Sequence, residues 1–394
     1  MNLIIPNGFE ANFTTGFVKG LVANGVEVLV LSCDETAPRL RAAGAHHLNI
    51  RGSLREGRPV VQKVWNLVQY YARAIRQLVI HRNRTVHFTG MFDNRRILVE
   101  AAVLLVFARL MARRYIYTVH NVLPHGRAQS RWFRFLYRFI YCLPDILLVH
   151  AESVAKQLIN EFGVSERRIR VSSIGLNEEI PMTTLSQSAA RAELGFDEKD
   201  KLILFFGKIE EYKGPDLLVA AFDALPFDGA HLIVAGSFGD SEFRERFLEQ
   251  VSVAARGSRI HLYEKFFDNS EIEVFFKACD VLCLPYRNIY QSGLMFLGAR
   301  FGIPIVATDV GSLRDFLSQG FGTITPSNDV PGICQALTKF FAAPPTSTRL
   351  ETAARARQFS WERICERLVP LYEHAVAGRA GNYEINRTVM AADA

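Results

Sequence analysis

The chain has 394 residues, 49% of them hydrophobic, and a formal net charge of +6. This length and hydrophobic content argue for two globular domains with substantial cores. The six cysteines are scattered without the spacing of a metal site, and they fit reduced cytosolic thiols best.

The amino-terminal region predicts the start of an α/β domain. Residues 3–6 are an apolar run too short for a signal peptide, and they predict a strand. A helix over residues 14–23 and a strand over residues 26–32 are expected to follow. The loop 7–10 after the first strand lacks the Gly-x-Gly-x-x-Gly pattern, which disfavours a nicotinamide-dependent enzyme.

Strand and helix patterns alternate through the rest of this half. Apolar runs at residues 85–88, 115–119 and 146–149 predict further strands, which is the alternation of a parallel sheet. The most apolar stretch, residues 97–111, is interrupted by two charged residues and is shorter than the roughly 20 residues needed to cross a bilayer. It predicts a core helix, so any attachment to a membrane is expected to be peripheral.

Two segments, residues 62–76 and 127–140, combine basic and polar side chains with aromatic ones at helical spacing. One interpretation is a peripheral membrane surface that contacts anionic lipid, which the net charge favours. The other is that the aromatic side chains face the core while the basic ones face water. The sequence leaves both open. The basic stripe of the second segment consists of Arg127, Arg131, Arg134 and Arg138.

A histidine follows the strand predicted at residues 115–119. Loops at the carboxyl ends of parallel strands line the ligand crevice of α/β proteins, so His120 is a candidate to hydrogen-bond a ligand. His125, further along the same loop, is a weaker candidate. A lone histidine is more often structural.

The second half opens with a strand and a basic loop. Residues 202–206 are all apolar and predict a buried strand, and Gly207 ends it in a turn where backbone can approach a ligand. Lys208 and Lys213 follow, and Pro215 suits the first turn of the next helix. Two cations beside a helix N-terminus can hold a phosphate group, whereas isolated loop lysines are usually only solvated.

A second anion site is expected in the turn that contains Gln291, Ser292 and Gly293. This turn precedes a predicted helix, so free N–H groups on Ser292, Gly293 and Leu294 are expected at the positive end of the helix dipole. Without a ligand, Ser292 would simply cap the helix. Gly236 ends another predicted strand and is expected to line a nucleotide cleft.

The polar, irregular composition of residues 179–200 predicts a linker. A last helix is predicted over residues 361–377, after a proline-rich break. The predicted organisation is therefore a first domain over 1–178, a second domain over 201–358, a helical segment over 359–378 and a mobile tail over 379–394.

These motifs resemble the carboxyl-terminal half of the retaining GT-B glycosyltransferases, the family 4-like group that makes exopolysaccharides and lipid-linked glycans. The resemblance implies an α/β fold of two Rossmann-like domains whose parallel sheets face each other across a cleft, with the last helix crossing back to the first domain. The residues that carry it are Gly207-Lys208, Lys213-Gly214, Gln291-Ser292-Gly293 and residues 302–311, Gly-Ile-Pro-Ile-Val-Ala-Thr-Asp-Val-Gly.

The resemblance also implies roles for individual residues. His120, Lys208 and Lys213 would be catalytic, with His120 facing the donor sugar. Asn7, Gly8, Phe9 and His125 would bind the acceptor. The donor-binding residues would be Gly207, Lys208, Lys213, Gly236, Gln291, Ser292, Gly293 and Leu294.

The chain departs from the family at one point. Many relatives carry two glutamates that contact the donor sugar and the ribose, and the matching positions here are Ile289 and Leu297. Neither side chain can make those contacts, so they must come from elsewhere. The identity of the donor therefore stays open.

The predicted function is transfer of a sugar from a UDP- or GDP-linked donor to a hydroxyl of a glycan or lipid-linked acceptor, with retention, in bacterial polysaccharide synthesis. The expected location is the cytoplasm or the inner face of its membrane. No Asp-x-Asp pair or metal-ligand spacing occurs, so neither metal nor cofactor is expected.

One alternative function is that of a sugar-nucleotide epimerase, which would need acidic residues for proton abstraction. Another is a nucleic-acid-binding protein, which would leave the phosphate loops without a purpose.

Overall fold

The computed structural model describes residues 1–6, 11–53, 60–90, 101–123 and 130–373. The chain divides into two compact units, one formed by residues 1–175 with the segment from Phe359 onward, and the other by Leu176–Gln358. Each unit contains one parallel sheet.

The first unit is built on a seven-stranded sheet in the order β3-β2-β1-β4-β5-β6-β7, with every pair parallel. Helices connect the strands, and a π-helical turn at Ala101–Leu105 precedes α4. The strands are β1 Asn2–Ile5, β2 Val28–Ser32, β3 His46–Asn49, β4 Thr85–Phe88, β5 Arg114–Val119, β6 Ile146–Val149 and β7 Ile169–Val171. The helices are α1 Ala11–Ala23, α2 Ala37–Ala42, α3 Val60–Ile80, α4 Val106–Met111, α5 Arg131–Cys142 and α6 Glu152–Phe162.

Strands β3 and β7 were not predicted from the sequence. β3 reads His-His-Leu-Asn and is largely exposed at the sheet edge, so it lacks the apolar run of a buried strand. β7 has only three residues and lies at the opposite edge. The five strands predicted for this half are all observed, in the centre of the sheet.

The second unit is built on a six-stranded parallel sheet in the order β10-β9-β8-β11-β12-β13. Successive strands are added on one side of β8 up to β10 and then on its other side from β11 onward, so the strand order reverses between β8 and β11. Its strands are β8 Lys201–Phe206, β9 Ala230–Gly236, β10 Ile260–Glu264, β11 Val281–Leu284, β12 Ile305–Ala307 and β13 Gly322–Ile324. Its helices are α7 Gln187–Leu194, α8 Pro215–Asp223, α9 Ser241–Val253, α10 Asn269–Ala278, α11 Gly293–Arg300, α12 Leu313–Leu317, α13 Val330–Ala342 and α14 Arg349–Ala356.

The segment predicted as a linker, residues 179–200, lies within the second unit. Its helix α7 packs on α10 through buried Arg191, whose guanidinium donates to Ala278 O at 3.0 Å and pairs with Asp280 at 2.7 Å. These long-range contacts fix a segment whose composition alone reads as irregular.

The carboxyl-terminal segment packs on the first unit. Helix α15, Trp361–Glu366, lies against α1 where Gly16 and Gly20 leave space for it. The predicted helix over residues 361–377 is too long, because α15 ends at Glu366 and a 3-10 turn, Val369–Leu371, follows. The ring of Pro370 would clash with the carbonyl four residues earlier, which ends the α-helix.

Within the described ranges, no helix has both the length and the apolar character required to cross a membrane.

Candidate active site

The lysine loop, residues 207–214, joins the carboxyl end of β8 to the first turn of α8. Gly207 and Gly214 have φ values of 99° and 64°, a conformation that other residues rarely adopt. The loop therefore presents Lys208 and Lys213 at the carboxyl edge of the sheet, beside a point where the strand order reverses.

The turn after β9 packs directly against the lysine loop. The N–H of Ile209 donates to Ser237 O at 2.8 Å. A Cβ atom on Gly236 would overlap the carbonyl oxygen of Gly207, so only glycine fits at the end of β9. Gly236 thus has a packing role that is independent of any ligand.

Lys213 is the more buried of the two loop lysines. Its ammonium lies 3.9 Å from the position that a Cβ atom on Gly207 would occupy. Burial lowers the pKa of Lys213 to about 8, although the carboxylate of Glu210 raises it and the ammonium of Lys208 lowers it further. A bound anion at this point would favour the charged ammonium.

The turn before α11 is organised by two hydroxyl groups. Ser292 Oγ accepts from the N–H of Leu294 at 3.3 Å and lies 3.2 Å from the hydroxyl of buried Tyr286. The expectation of a free N–H on Leu294 is therefore wrong, because the Ser292 cap already satisfies it. A Cβ atom on Gly293 would meet nothing within 4 Å, so this end of α11 faces open space.

The loop after β12 supports the same turn from the other side. A Cβ atom on Gly311 would overlap the carbonyl oxygen of Ile289, and the N–H of Ser312 donates to Tyr290 O at 3.1 Å. The glycine that ends the family-like segment 302–311 is therefore required for close backbone contact.

The structure brings the two predicted phosphate-binding elements together. Leu294 Cδ1, in the first turn of α11, lies 3.3 Å from the Cβ position of Gly207, which is also the position next to the Lys213 ammonium. The lysine loop and the N-terminus of α11 therefore border the same space. Gln291 lies partly buried in the turn that leads into this helix.

Arg287, which follows β11, links the segment before α11 to the lysine loop and to α8 through hydrogen bonds. Its guanidinium donates to Asp216 Oδ1 at 2.7 Å and to Glu211 O at 2.6 Å, and its backbone N–H donates to Tyr212 O at 2.8 Å. The hydrogen bond to Asp216 raises the pKa of Arg287. Sequence reasoning missed this residue, since its partners are distant in the sequence and no local motif marks them.

His120, at the end of β5, has a defined ring orientation in the first unit. Its Nε2 lies 2.7 Å from Thr89 O, and because a carbonyl oxygen only accepts, Nε2 carries the hydrogen. The ring packs edge-on against Phe13 at 4.7 Å and lies 5.0 Å from the ring of His150. In the neutral form, Nδ1 is the acceptor nitrogen.

Two further histidines, His87 in β4 and His150 after β6, are fully buried beside His120. Burial lowers the pKa of each to about 3, so both are neutral at pH 7. His150 Nδ1 lies 3.0 Å from Ser172 O. Neither histidine was predicted from the sequence, although His150 follows its strand in the same way as His120 does.

Several predicted residues lie outside the described part of the chain, and the structure places none of them. They are Asn7, Gly8, Phe9, His125 and Arg127. Of the two positions where relatives carry glutamate, Leu297 packs in the core of the second unit. No group of His, Cys, Asp or Glu side chains in the described ranges could hold a metal ion.

The two units match two related families. Residues 11–179 match the family described as Glycosyltransferase Family 4, and residues 186–357 match Glycosyl transferases group 1. Both matched families are glycosyltransferase families, and the two Rossmann-like parallel sheets give the chain the GT-B fold.

Individual relatives support the same class. The chain is 28% identical over 255 residues to D-inositol 3-phosphate glycosyltransferase of Mycobacterium tuberculosis, a match that covers 62% of this chain and 50% of that protein. It thus spans about half the length of the curated relatives it matches. Anabaena HepE, solved with UDP and glucose, has a TM-score of 0.72 and 14% identity, with 94% of this chain and 98% of that chain covered. Sucrose-phosphate synthase from Thermosynechococcus elongatus has a TM-score of 0.70 and 16% identity, with the same coverages of 94% and 98%. At such identities these two likenesses show the fold.

Proposed function

We propose that the chain transfers a sugar from a nucleoside diphosphate sugar to a hydroxyl of a glycan or lipid-linked acceptor, with retention, in bacterial polysaccharide synthesis. One observation carries this proposal. The Lys213 ammonium and the first turn of α11 border the same space beside Gly207. A diphosphate there would meet a cation and the positive end of a helix dipole.

The proposed catalysis rests on stabilising the leaving diphosphate. Negative charge develops on the diphosphate as its bond to the sugar breaks, and preorganised charges are most effective in stabilising it. Lys208, Lys213 and α11 would neutralise this charge without a metal ion. His120 remains our proposed sugar-contacting residue, and the hydrogen bond from its Nε2–H to Thr89 O fixes the orientation of the ring.

A uridine or guanosine diphosphate is the donor class we propose. The structure of Anabaena HepE in complex with UDP-glucose, which has a TM-score of 0.71, favours the uridine nucleotide as the first to test. The residues at the positions of the missing glutamates, Ile289 and Leu297, leave the sugar itself undetermined.

Calorimetric titration tests this proposal. UDP, GDP and their common sugar conjugates are titrated into the purified protein without added metal. We expect one nucleotide to bind and Lys213→Ala to lose that binding, whereas Lys339→Ala, an exposed lysine on α13, serves as the matched control. With a substrate in hand, Lys213→Ala should slow turnover about a hundredfold. A folded Lys213→Ala protein with unchanged turnover would contradict the assignment.

We also propose that helix α5 provides peripheral contact with an anionic membrane. Leu136, Tyr137, Ile140 and Tyr141 face the core, whereas Trp132, Phe135 and Phe139 are 58%, 67% and 42% exposed. The interpretation that all the aromatic residues of this segment are buried is therefore wrong. Exposed rings beside arginines suit a surface of anionic lipid.

Co-sedimentation with vesicles tests this contact. The wild-type protein should bind vesicles that contain phosphatidylglycerol and not vesicles of phosphatidylcholine alone. The double variant Trp132→Ser/Phe135→Ser should lose this binding, while Val253→Ser, which alters an exposed apolar residue on α9, should retain it. Tight binding to a single-stranded oligonucleotide instead would favour the nucleic-acid alternative.

A further inference from the structure

The lysine loop contains a carboxylate that faces its own cations. Glu210 Oε1 forms an ion pair with the ammonium of Lys208. The Glu210 side chain is 24% exposed, compared with 57% for the neighbouring Glu211, which pairs with Arg246 at 3.1 Å. Two consecutive glutamates therefore point to different partners.

The surrounding backbone holds Glu210 in this place. The N–H of Ile209 donates to Ser237 O at 2.8 Å, and the carbonyl oxygen of Ile209 accepts from the N–H of Gly239 at 3.4 Å. Both backbone groups of the residue before Glu210 are therefore hydrogen-bonded to the turn after β9. A Cβ atom on Gly239 would lie 2.9 Å from the Lys208 ammonium and even closer to the Glu210 carboxylate. The ion pair thus lies directly against Gly239, and a Cβ atom there would require the ends of the Glu210 and Lys208 side chains to shift.

Glu210 acts on the second lysine as well. Its negative charge opposes the effect of burial on Lys213, whereas Lys208 acts in the same direction as burial. One carboxylate therefore offsets part of the positive charge of both lysines. Lys208, Lys213 and Glu210 together therefore offer a diphosphate a formal net charge of about one, whereas the two lysines alone would offer about two.

We propose that Glu210 is an internal counter-ion that occupies the anion position of Lys208 and must be displaced when a diphosphate binds. This inference rests on the proposed function, since it assigns the diphosphate as the competing anion. A counter-ion of this kind weakens the binding of the donor and of the nucleoside diphosphate product alike. It therefore favours release of the product.

Calorimetry with inorganic pyrophosphate and with UDP tests the proposal in three proteins. Glu210→Gln should bind pyrophosphate about tenfold more tightly than wild type, because one neighbouring negative charge is removed from a partly exposed site. Glu211→Gln removes a charge of the same sign from the adjacent residue and should change the affinity less than twofold. The gain in Glu210→Gln should shrink at high salt.

The outcomes separate this inference from the proposed function. Unchanged or weaker pyrophosphate binding in Glu210→Gln overturns the counter-ion, as does an equal gain in Glu211→Gln. Tighter pyrophosphate binding in Glu210→Gln, with no nucleotide bound by any of the proteins, supports the counter-ion and contradicts the proposed function. Loss of UDP binding in Glu210→Gln, with pyrophosphate unaffected, would show that the carboxylate contacts the nucleoside and is not a counter-ion.

Discussion

The hydroxyl of Tyr372 lies 2.5 Å from Nδ1 of His87, and Nε2 of the same ring lies 2.7 Å from Oγ1 of Thr118. This buried chain of hydrogen bonds joins the carboxyl-terminal segment to β4 and β5, near His120. Both partners of His87 are hydroxyl groups, so the neutral imidazole can satisfy them by donating to one and accepting from the other.

The first unit should lose stability steeply in acid. The pKa of His87 and of His150 is about 3 in the folded protein, below the usual value of 6.5 that the unfolded chain would show. Between pH 3 and pH 6.5 the unfolded state binds more protons than the folded state. The two histidines therefore do not reduce the free energy of unfolding above pH 6.5, and they lower it progressively as the pH drops below that value. Each histidine should contribute a loss of about 1.4 kcal/mol per pH unit.

Urea denaturation at pH 7, 6 and 5 measures this slope. All three tryptophans, Trp65, Trp132 and Trp361, belong to the first unit, so their fluorescence follows its unfolding. His87→Gln, which keeps one donor and one acceptor, should be less stable at pH 7 but should show a shallower dependence on pH. An identical slope in the variant would contradict the buried neutral histidine.

Binding of a diphosphate should weaken above about pH 8. The pKa of Lys213 is lowered to about 8, so the free protein carries the ammonium below that pH and loses it above. An anion binds the charged form, so at higher pH binding must take up a proton, and affinity should fall by up to about tenfold per pH unit. Calorimetry of UDP between pH 7 and 9.5, in buffers of different ionisation enthalpy, measures both effects. Lys213→Arg should bind with little dependence on pH in this range, and a flat profile for the wild type would disprove the role of Lys213.

Two glycine substitutions should distinguish the residues that stabilise the site from those that bind the diphosphate. Gly236→Ala places a Cβ atom on the carbonyl oxygen of Gly207, and should destabilise the second unit by about 2 kcal/mol while displacing the lysine loop.

Gly293→Ala introduces a methyl group that meets no atom within 4 Å, so stability should be nearly unchanged. Diphosphate affinity should fall, because the methyl group enters the proposed phosphate space. Urea denaturation and calorimetry on both variants check this. Unimpaired UDP binding by Gly293→Ala would exclude the N-terminus of α11 from the site.

Gly20→Ala should destabilise the first unit although alanine favours helices. The substitution gains about 1 kcal/mol in helix propensity. The new Cβ atom, however, would overlap the backbone carbonyl of Trp361 and lie 2.7 Å from Cys365 Sγ. Overpacking typically costs about 1–3 kcal/mol, so a net loss is expected. Urea denaturation followed by tryptophan fluorescence measures it, and greater stability would show that α15 can shift away from α1.

Local patterns in the sequence predicted the central strands and marked the lysine loop and the turn before α11 as candidate phosphate-binding elements. Residues 202–206, for example, are apolar because strands in the middle of a parallel sheet are buried on both faces. The edge strands β3 and β7 were not predicted by looking for apolar runs, because an edge strand can be short or exposed. The early end of α15 could have been predicted from Pro370.

The α/β class, the positions of Lys208 and Lys213 after a strand, and the cap at Ser292 could be predicted from the sequence alone, since they depend on neighbours in the chain. Which distant groups meet could be seen only in the folded structure. Arg287 reaches Asp216, and His87 reaches Tyr372 across 285 positions. The tertiary structure also decided that Trp132 and Phe135 face solvent. Such contacts arise when helices and strands pack, because burial and hydrogen bonding between distant residues leave no periodic signal in one sequence.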